Sequence, residues 1–261
     1  MTSFRLAPAV ILAVAALTLS GCATPVPQLS ATAEVDNLSG TVTVFAAASL
    51  SDSFAEIARA FEAEHRDVSV VFNFGGSSGL ATQIVEGAPI DVFAAASEST
   101  MTTVVDAGLI ETSTPFVTNT LEIAVPVGNP GNVTGLADFA KPDLAIAVCA
   151  AEVPCGAAAT TVFNAAGLVP AVDTYEQDVK AVLTKVELGE VDAGLVYRTD
   201  VLAAGAAVEG IEFPEAADAV GTYPIGMLLE SPHPEAAAAF IEFVLGPAGS
   251  KILSDDGFGT P

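Results

Sequence analysis

Two hydrophobic periodicities take turns along the chain. Residues 42–48 form a short apolar run in which Val42, Val44 and Phe45 favour a β-strand. The run gives way to Ser49-Leu50-Ser51-Asp52, and then Phe54, Ile57, Ala58 and Phe61 recur at i, i+3, i+4 and i+7, the apolar stripe of an amphipathic helix. Ser51 and Asp52 are of the type that caps a helix N-terminus. The order repeats. Residues 68–74 read as a second strand, Gly75-Gly76-Ser77-Ser78-Gly79 as a small polar loop, and Leu80, Ala81, Ile84 and Val85 as a helix face. Residues 90–96 are a third strand, with Ser97 capping a helix through Val104 and Val105. Strands alternating with helices through short loops predict an α/β fold with a mostly parallel sheet flanked by helices.

The composition changes after Asp106-Ala107-Gly108-Leu109. Residues 121–127 predict a strand that crosses to a second lobe, 136–139 a short helix, and 144–149 a further strand. Pro154 sits where a helix start tolerates proline, ahead of a helix over about residues 157–166. Val179, Val182, Leu183 and Val186 form another helical stripe, begun by Tyr175-Glu176-Gln177-Asp178. Residues 191–197 are a strand ending at Tyr197, while 211–214 and 222–229 read as strands returning to the first lobe. Phe240, Ile241, Val244, Leu245, Ile252 and Leu253 predict a C-terminal helical cover.

In open α/β sheets, ligands bind outside the carboxyl ends of the strands. Ser49 and the Ser77-Ser78 turn both fall there, each beside a helix start whose unpaired N–H groups favour an anion. Two bland readings stand beside this one: Ser49 as a plain helix cap, and the glycine-serine stretch as a plain turn. Tyr197 either donates its hydroxyl into the cleft or packs with the hydroxyl in water.

The net charge of −24 changes the picture of partners. It argues against nucleic acid and an anionic membrane face, both of which need clustered Lys and Arg. It does not argue against a small anion held by local dipoles. The N-terminus carries Arg5, then an apolar stretch over residues 6–19, shorter than the ~20 residues of a spanning helix, then Ser20-Gly21-Cys22. This resembles a bacterial lipoprotein signal, with residues 1–21 removed and Cys22 lipidated; the other reading is ordinary secretory cleavage followed by a stray cysteine. Residues 22–40, with Thr24-Pro25-Val26-Pro27, read as a tether. In an exported protein the close pair Cys149 and Cys155 is expected to form a disulfide. A zinc site would need more ligands, and His65 and His233 stand isolated.

The segments Val44-Phe45-Ala46-Ala47-Ala48-Ser49-Leu50, Gly76-Ser77-Ser78-Gly79-Leu80-Ala81, Gly87-Ala88-Pro89-Ile90-Asp91-Val92-Phe93, Val153-Pro154-Cys155-Gly156 and Gly194-Leu195-Val196-Tyr197 occur in a fixed order. In that order they resemble the extracytoplasmic molybdate-binding proteins of ABC importers, over about residues 41–258. The resemblance implies a two-lobe periplasmic-binding-protein fold, with residues 41–120 and 222–261 in one lobe and 121–221 in the other. It implies a cleft that closes on molybdate or tungstate, with no cofactor and no catalysis. Ser49, Ser77 and Tyr197 match the family's hydroxyl donors, and Cys155 and Val179 its backbone N–H donors. Cys155 replaces a commoner alanine, a change that a backbone contact survives. No direct metal ligand is implied, because the donors meet oxyanion oxygens. The expected partners are the permease of an ABC importer and, through Cys22, the outer face of the cell membrane, with the protein a monomer. Two other readings remain at this point. One keeps the fold but carries sulfate, another small anion or a ferric complex. The other is a secreted serine hydrolase, which lacks a Gly-x-Ser-x-Gly elbow and would have to recruit His65 or His233.

Overall fold

The computed structural model describes residues 38–261; the signal segment, Cys22 and most of the expected tether lie outside these residues. Among the described residues the strands assemble into two five-stranded mixed sheets flanked by helices. The first contains β1 (Gly40–Ala47), β2 (Val68–Gly75), β3 (Val92–Ala94), β4 (Ser113–Asn119) and β10 (Gly221–Met227), in the order β2-β1-β3-β10-β4. The second contains β5 (Leu121–Pro126), β6 (Ile146–Cys149), β7 (Thr174–Glu176), β8 (Ala193–Tyr197) and β9 (Val208–Ile211), in the order β7-β6-β8-β5-β9.

Each sheet has a parallel three-stranded part, β2-β1-β3 or β7-β6-β8, extended by two antiparallel pairings. The parallel parts come from βα units, whose helices must return the chain to the same sheet end. Those helices are α1 (Ser51–Glu64), α2 (Ser77–Val85) and α3 (Glu98–Asp106) in the first lobe. In the second they are α4 (Pro154–Ala165), α5 (Val179–Glu187) and α6 (Arg198–Ala204). The C-terminal helices α7 (Pro234–Leu245) and α8 (Pro247–Asp255) return to the first lobe. There Phe240 packs edge-on against Phe54 and Phe61, with ring centroids 6.2 and 5.4 Å apart. The chain passes between sheets twice, at Thr120 between β4 and β5 and over residues 212–220 between β9 and β10.

Several local expectations are corrected. Ser51 and Asp52 do not cap α1: a 3-10 turn over Ala48–Leu50 leads straight from β1 into the helix, leaving no extended residue to act as a side-chain cap. Residues 174–176 form strand β7 beside β6, not a helix start, and α5 begins only after Asp178. The strand near Ile211 does not return to the first lobe; β9 pairs with β5 at the edge of the second sheet. Strand β4 was not anticipated, because its polar residues and Pro115 hide an edge strand. Gly246-Pro247 divides the C-terminal cover into two helices.

Candidate functional site

Ser49, Ser77, Cys155, Val179 and Tyr197 all line one cavity between the lobes. Its volume is about 20 Å³, a little above the roughly 10–15 Å³ that one water needs on the same measure. A sphere of that volume has a radius of about 1.7 Å, the scale of the centre-to-oxygen distance in one tetrahedral oxyanion.

The wall is built from helix starts. Ser77 opens α2 behind Gly76, Pro154 and Cys155 open α4, Val179 opens α5, and Tyr197 is the N-cap residue of α6. Ser49 lies in the 3-10 turn that feeds α1. Each start presents N–H groups without helical partners and the positive end of a helix dipole. Several converge here, so the cavity favours an anion although no Lys, Arg or His lines it. Asp178 is the carboxylate residue on the wall, and its Oδ1 accepts from the N–H of Ala181, 2.9 Å away, as the cap of α5.

The hydroxyls are set up as donors. Ser77 is 1% exposed, and its Oγ accepts from the N–H of Ala96 at 3.0 Å, which leaves its own proton free. Burial raises Tyr197 far above the ordinary phenol value, against a smaller lowering by Tyr223, so its hydroxyl stays protonated at neutral pH. Ser49 Oγ lies 3.0 Å from the hydroxyl of Tyr223, which is fully buried behind the cavity wall. Cys149 and Cys155 are joined in a disulfide, with Cα atoms 5.7 Å apart. The bond ties the end of β6 to the first turn of α4, and Gly156 fits there because a Cβ would lie 1.8 Å from the Ala150 carbonyl.

The lobes meet across the cavity mouth. Ser78 Oγ donates to the Glu152 carbonyl at 2.7 Å, and Gly76 lies against the Gln177 carbonyl. Lys180 of α5 reaches Asp52 of α1 at 2.8 Å and buried Asp200 of α6 at 3.3 Å. Burial pushes the Asp200 carboxyl up to about 6, against the lowering effect of Lys180. Sequence reasoning did not single out Lys180, Asp200, Asn119 or Tyr223; all act through tertiary contacts, and only Tyr223, placed in a strand, left a local signal. His65 packs on Phe61 with centroids 4.4 Å apart, and His233 Nδ1 lies 3.8 Å from Asp91; neither lines the cavity. Among the described residues, no group of three or more His, Cys, Asp or Glu is placed to hold a metal ion.

Comparisons with known proteins bear on the family and the fold. The family described as bacterial extracellular solute-binding protein matches residues 42–259. The molybdate-binding protein ModA of Mycobacterium tuberculosis H37Rv is 42% identical over 221 residues, 84% of this chain and 85% of that protein. Among solved structures, the substrate-binding domain of a molybdenum ABC transporter from Clostridium difficile, described as putative, is 30% identical with a TM-score of 0.63. The match covers 85% of this chain and 99% of that one. The periplasmic molybdate-binding protein of Azotobacter vinelandii aligns with a TM-score of 0.74 at 21% identity, over 84% and 99% of the two chains, which supports the fold.

Proposed function

The chain belongs to the bacterial extracellular solute-binding protein family, and from that premise we propose that it captures molybdate outside the cytoplasm and hands it to an ABC importer. Proteins of this family bind solutes and are not enzymes, which leaves no place for the serine-hydrolase reading. The observation that carries the proposal is the set of converging donors. Ser49, Ser77 and Tyr197 supply hydroxyls, Cys155 and Val179 supply backbone N–H groups, and no cationic side chain intrudes.

Such a set suits an oxyanion with no proton to place, because the ligand's oxygens only accept. Neutrality comes from dipoles, not from ion pairs. That explains how a chain of net charge −24 holds a dianion. Tungstate has the same charge and shape and is expected to bind as well. Sulfate is the smaller competitor within the same fold.

Cys22 is proposed as the lipid anchor that holds the monomeric protein on the outer face of the cell membrane. Residues 22–39, one short of the expected tether because Gly40 already belongs to β1, would span the gap to the folded part. Replacement of Cys22 by alanine should release the protein to the medium; retention at the membrane would refute the anchor. For the ligand, equilibrium dialysis against molybdate followed by elemental analysis should give one molybdenum per chain. Uptake unaffected by a large excess of sulfate supports molybdate; loss of the metal to equimolar sulfate would favour the sulfate reading.

A further inference from the structure

Lys180 spans the cleft between the lobes. It follows Val179 of the cavity wall, and its Nζ donates to Asp52 Oδ2 of α1 at 2.8 Å, across 128 positions of sequence. The same Nζ lies 3.3 Å from Oδ1 of Asp200 in α6, within its own lobe. Asp200 is wholly buried, and its other oxygen accepts from the N–H of Tyr197 at 3.0 Å. The row Tyr197–Asp200–Lys180–Asp52 therefore runs from one lobe to the other, along the helix starts that adjoin Tyr197, Val179 and Ser49.

Exposed ion pairs ordinarily contribute little, because two long side chains must be ordered to make one contact. Lys180 differs, since its own lobe already orders it. Asp200 Oδ1 has no hydrogen-bond partner, and a buried carboxylate without a nearby cation is costly, so Asp200 holds the ammonium beside it. Closing the cleft then adds a second carboxylate to a cation already in place. The other carboxylates that share a hollow with Asp52 are engaged elsewhere. Asp255 pairs with Lys251 at 2.7 Å, and Asp256 accepts from Ser53 Oγ at 2.5 Å. Asp52 is the one turned to the opposite lobe, and its side chain is 63% exposed, so the bridge is within reach of salt.

We propose that Lys180 and Asp52 are positioning residues that latch the closed cleft: their bridge forms as the lobes meet and slows the escape of the bound oxyanion. This inference rests on the oxyanion reading of the site and adds to it what sets the ligand's residence time. A contact made only after closure acts on release more than on capture. The sign of the effect is diagnostic. Asp52 is a negative charge beside a site for a dianion, so without a bridge its removal would slow release. The latch requires the opposite, faster release once Asp52 is gone.

The test measures release from the parent protein, Asp52→Asn and Ser78→Ala. Each is loaded with molybdate, diluted into excess tungstate, and assayed over time for retained molybdenum by rapid filtration and elemental analysis. Asp52 is the partner to change, since replacing Lys180 would also strand the buried Asp200. At low ionic strength Asp52→Asn should release molybdate about two- to fivefold faster than the parent, the range of one exposed ion pair. In about 1 M potassium chloride, where charges are screened beyond roughly 3 Å, the two should release at similar rates. Ser78→Ala removes the neutral contact to the Glu152 carbonyl and should speed release at both ionic strengths. Losing a favourable charge at the α1 N-terminus weakens the first lobe with or without ligand, and ligand-free melts read that cost separately. Unchanged or slower release from Asp52→Asn at low salt would overturn the latch and leave the oxyanion reading intact. If the parent protein retains no molybdenum at all, that reading itself fails, and the latch with it.

Discussion

Replacing Gly76 by alanine adds one methyl group at the point where the lobes come closest. The Gly76 backbone has φ −63° and ψ 123°, an extended conformation open to any L-residue, so the first lobe keeps its own fold. The new Cβ would stand 2.2 Å from the Gln177 carbonyl oxygen and 3.3 Å from Val153 Cγ1, both in the opposite lobe. Ordinary contact begins at 3.4 Å, so the lobes must part by about 1.2 Å, the shortfall of 2.2 from 3.4. Gln177 cannot yield cheaply: its carbonyl is backbone, two residues before Val179, which lines the cavity. Overpacking of this kind costs about 1–3 kcal/mol, which lowers affinity roughly five- to 150-fold if closure is needed for binding. The melting temperature without ligand should hardly move, because opening the cleft relieves the clash. Calorimetry with molybdate, paired with ligand-free thermal melts, reads both quantities. Parent-like affinity in Gly76→Ala would refute the claim that binding needs this closed contact. An equally large loss of ligand-free stability would place the clash within the fold instead of across the cleft.

Lys180→Met should leave the buried Asp200 carboxylate without its ion-pair partner, at a cost of roughly 3–5 kcal/mol wherever Asp200 is ionised. The folded carboxyl already sits at about 6 against an ordinary 3.8, so it favours folding when protonated and disfavours it when ionised. The variant's deficit should therefore be full above the still higher folded value it gives Asp200 and vanish as pH falls below about 6, where the parent's Asp200 is itself protonated; a pH-independent deficit in thermal melts would contradict this. Opening the Cys149–Cys155 bond by the double serine variant removes a cross-link spanning a separation of 6 residues. On the chain-entropy scale that is worth about 2 kcal/mol, or roughly 4–8 °C in Tm, and binding through the Cys155 N–H should largely persist. Ser77→Ala should lose ligand affinity and also stability, about 1–3 kcal/mol, because it orphans the buried N–H of Ala96, whereas Tyr197→Phe should lose affinity with a smaller change in melting.

What could be read from the chain was whatever local periodicity encodes. The βα repeats that place Ser49 and Ser77 at strand ends were legible because the apolar period switches from two to 3.6 at each loop. The start of α4 was legible through Pro154. Edge strands were not. β4 is polar and carries Pro115, and β7 has only three residues, so neither has a pattern long enough to separate strand from loop. The Ile211 strand was visible, but its sheet was not, because pairing with β5 is a matter of register between residues more than 80 positions apart, as Ile123 and Ile211 are. The same limit applies at the site. A resemblance carried single residues into the cavity, yet the Ser49–Tyr223 hydrogen bond joins positions 174 residues apart and has no local signature. Nor did Lys180 announce itself, since a lysine on a helix is ordinarily solvated until an acidic partner from the other lobe is brought to it.

The most direct test of the account is isothermal titration of the folded domain with molybdate, run for the parent protein and for Ser49→Ala. The account predicts one tight site per chain in the parent, competed by tungstate but not by hydrogen phosphate, and clear weakening in the variant. Absence of heat and of thermal stabilisation with molybdate, or a tight site indifferent to Ser49, would contradict it.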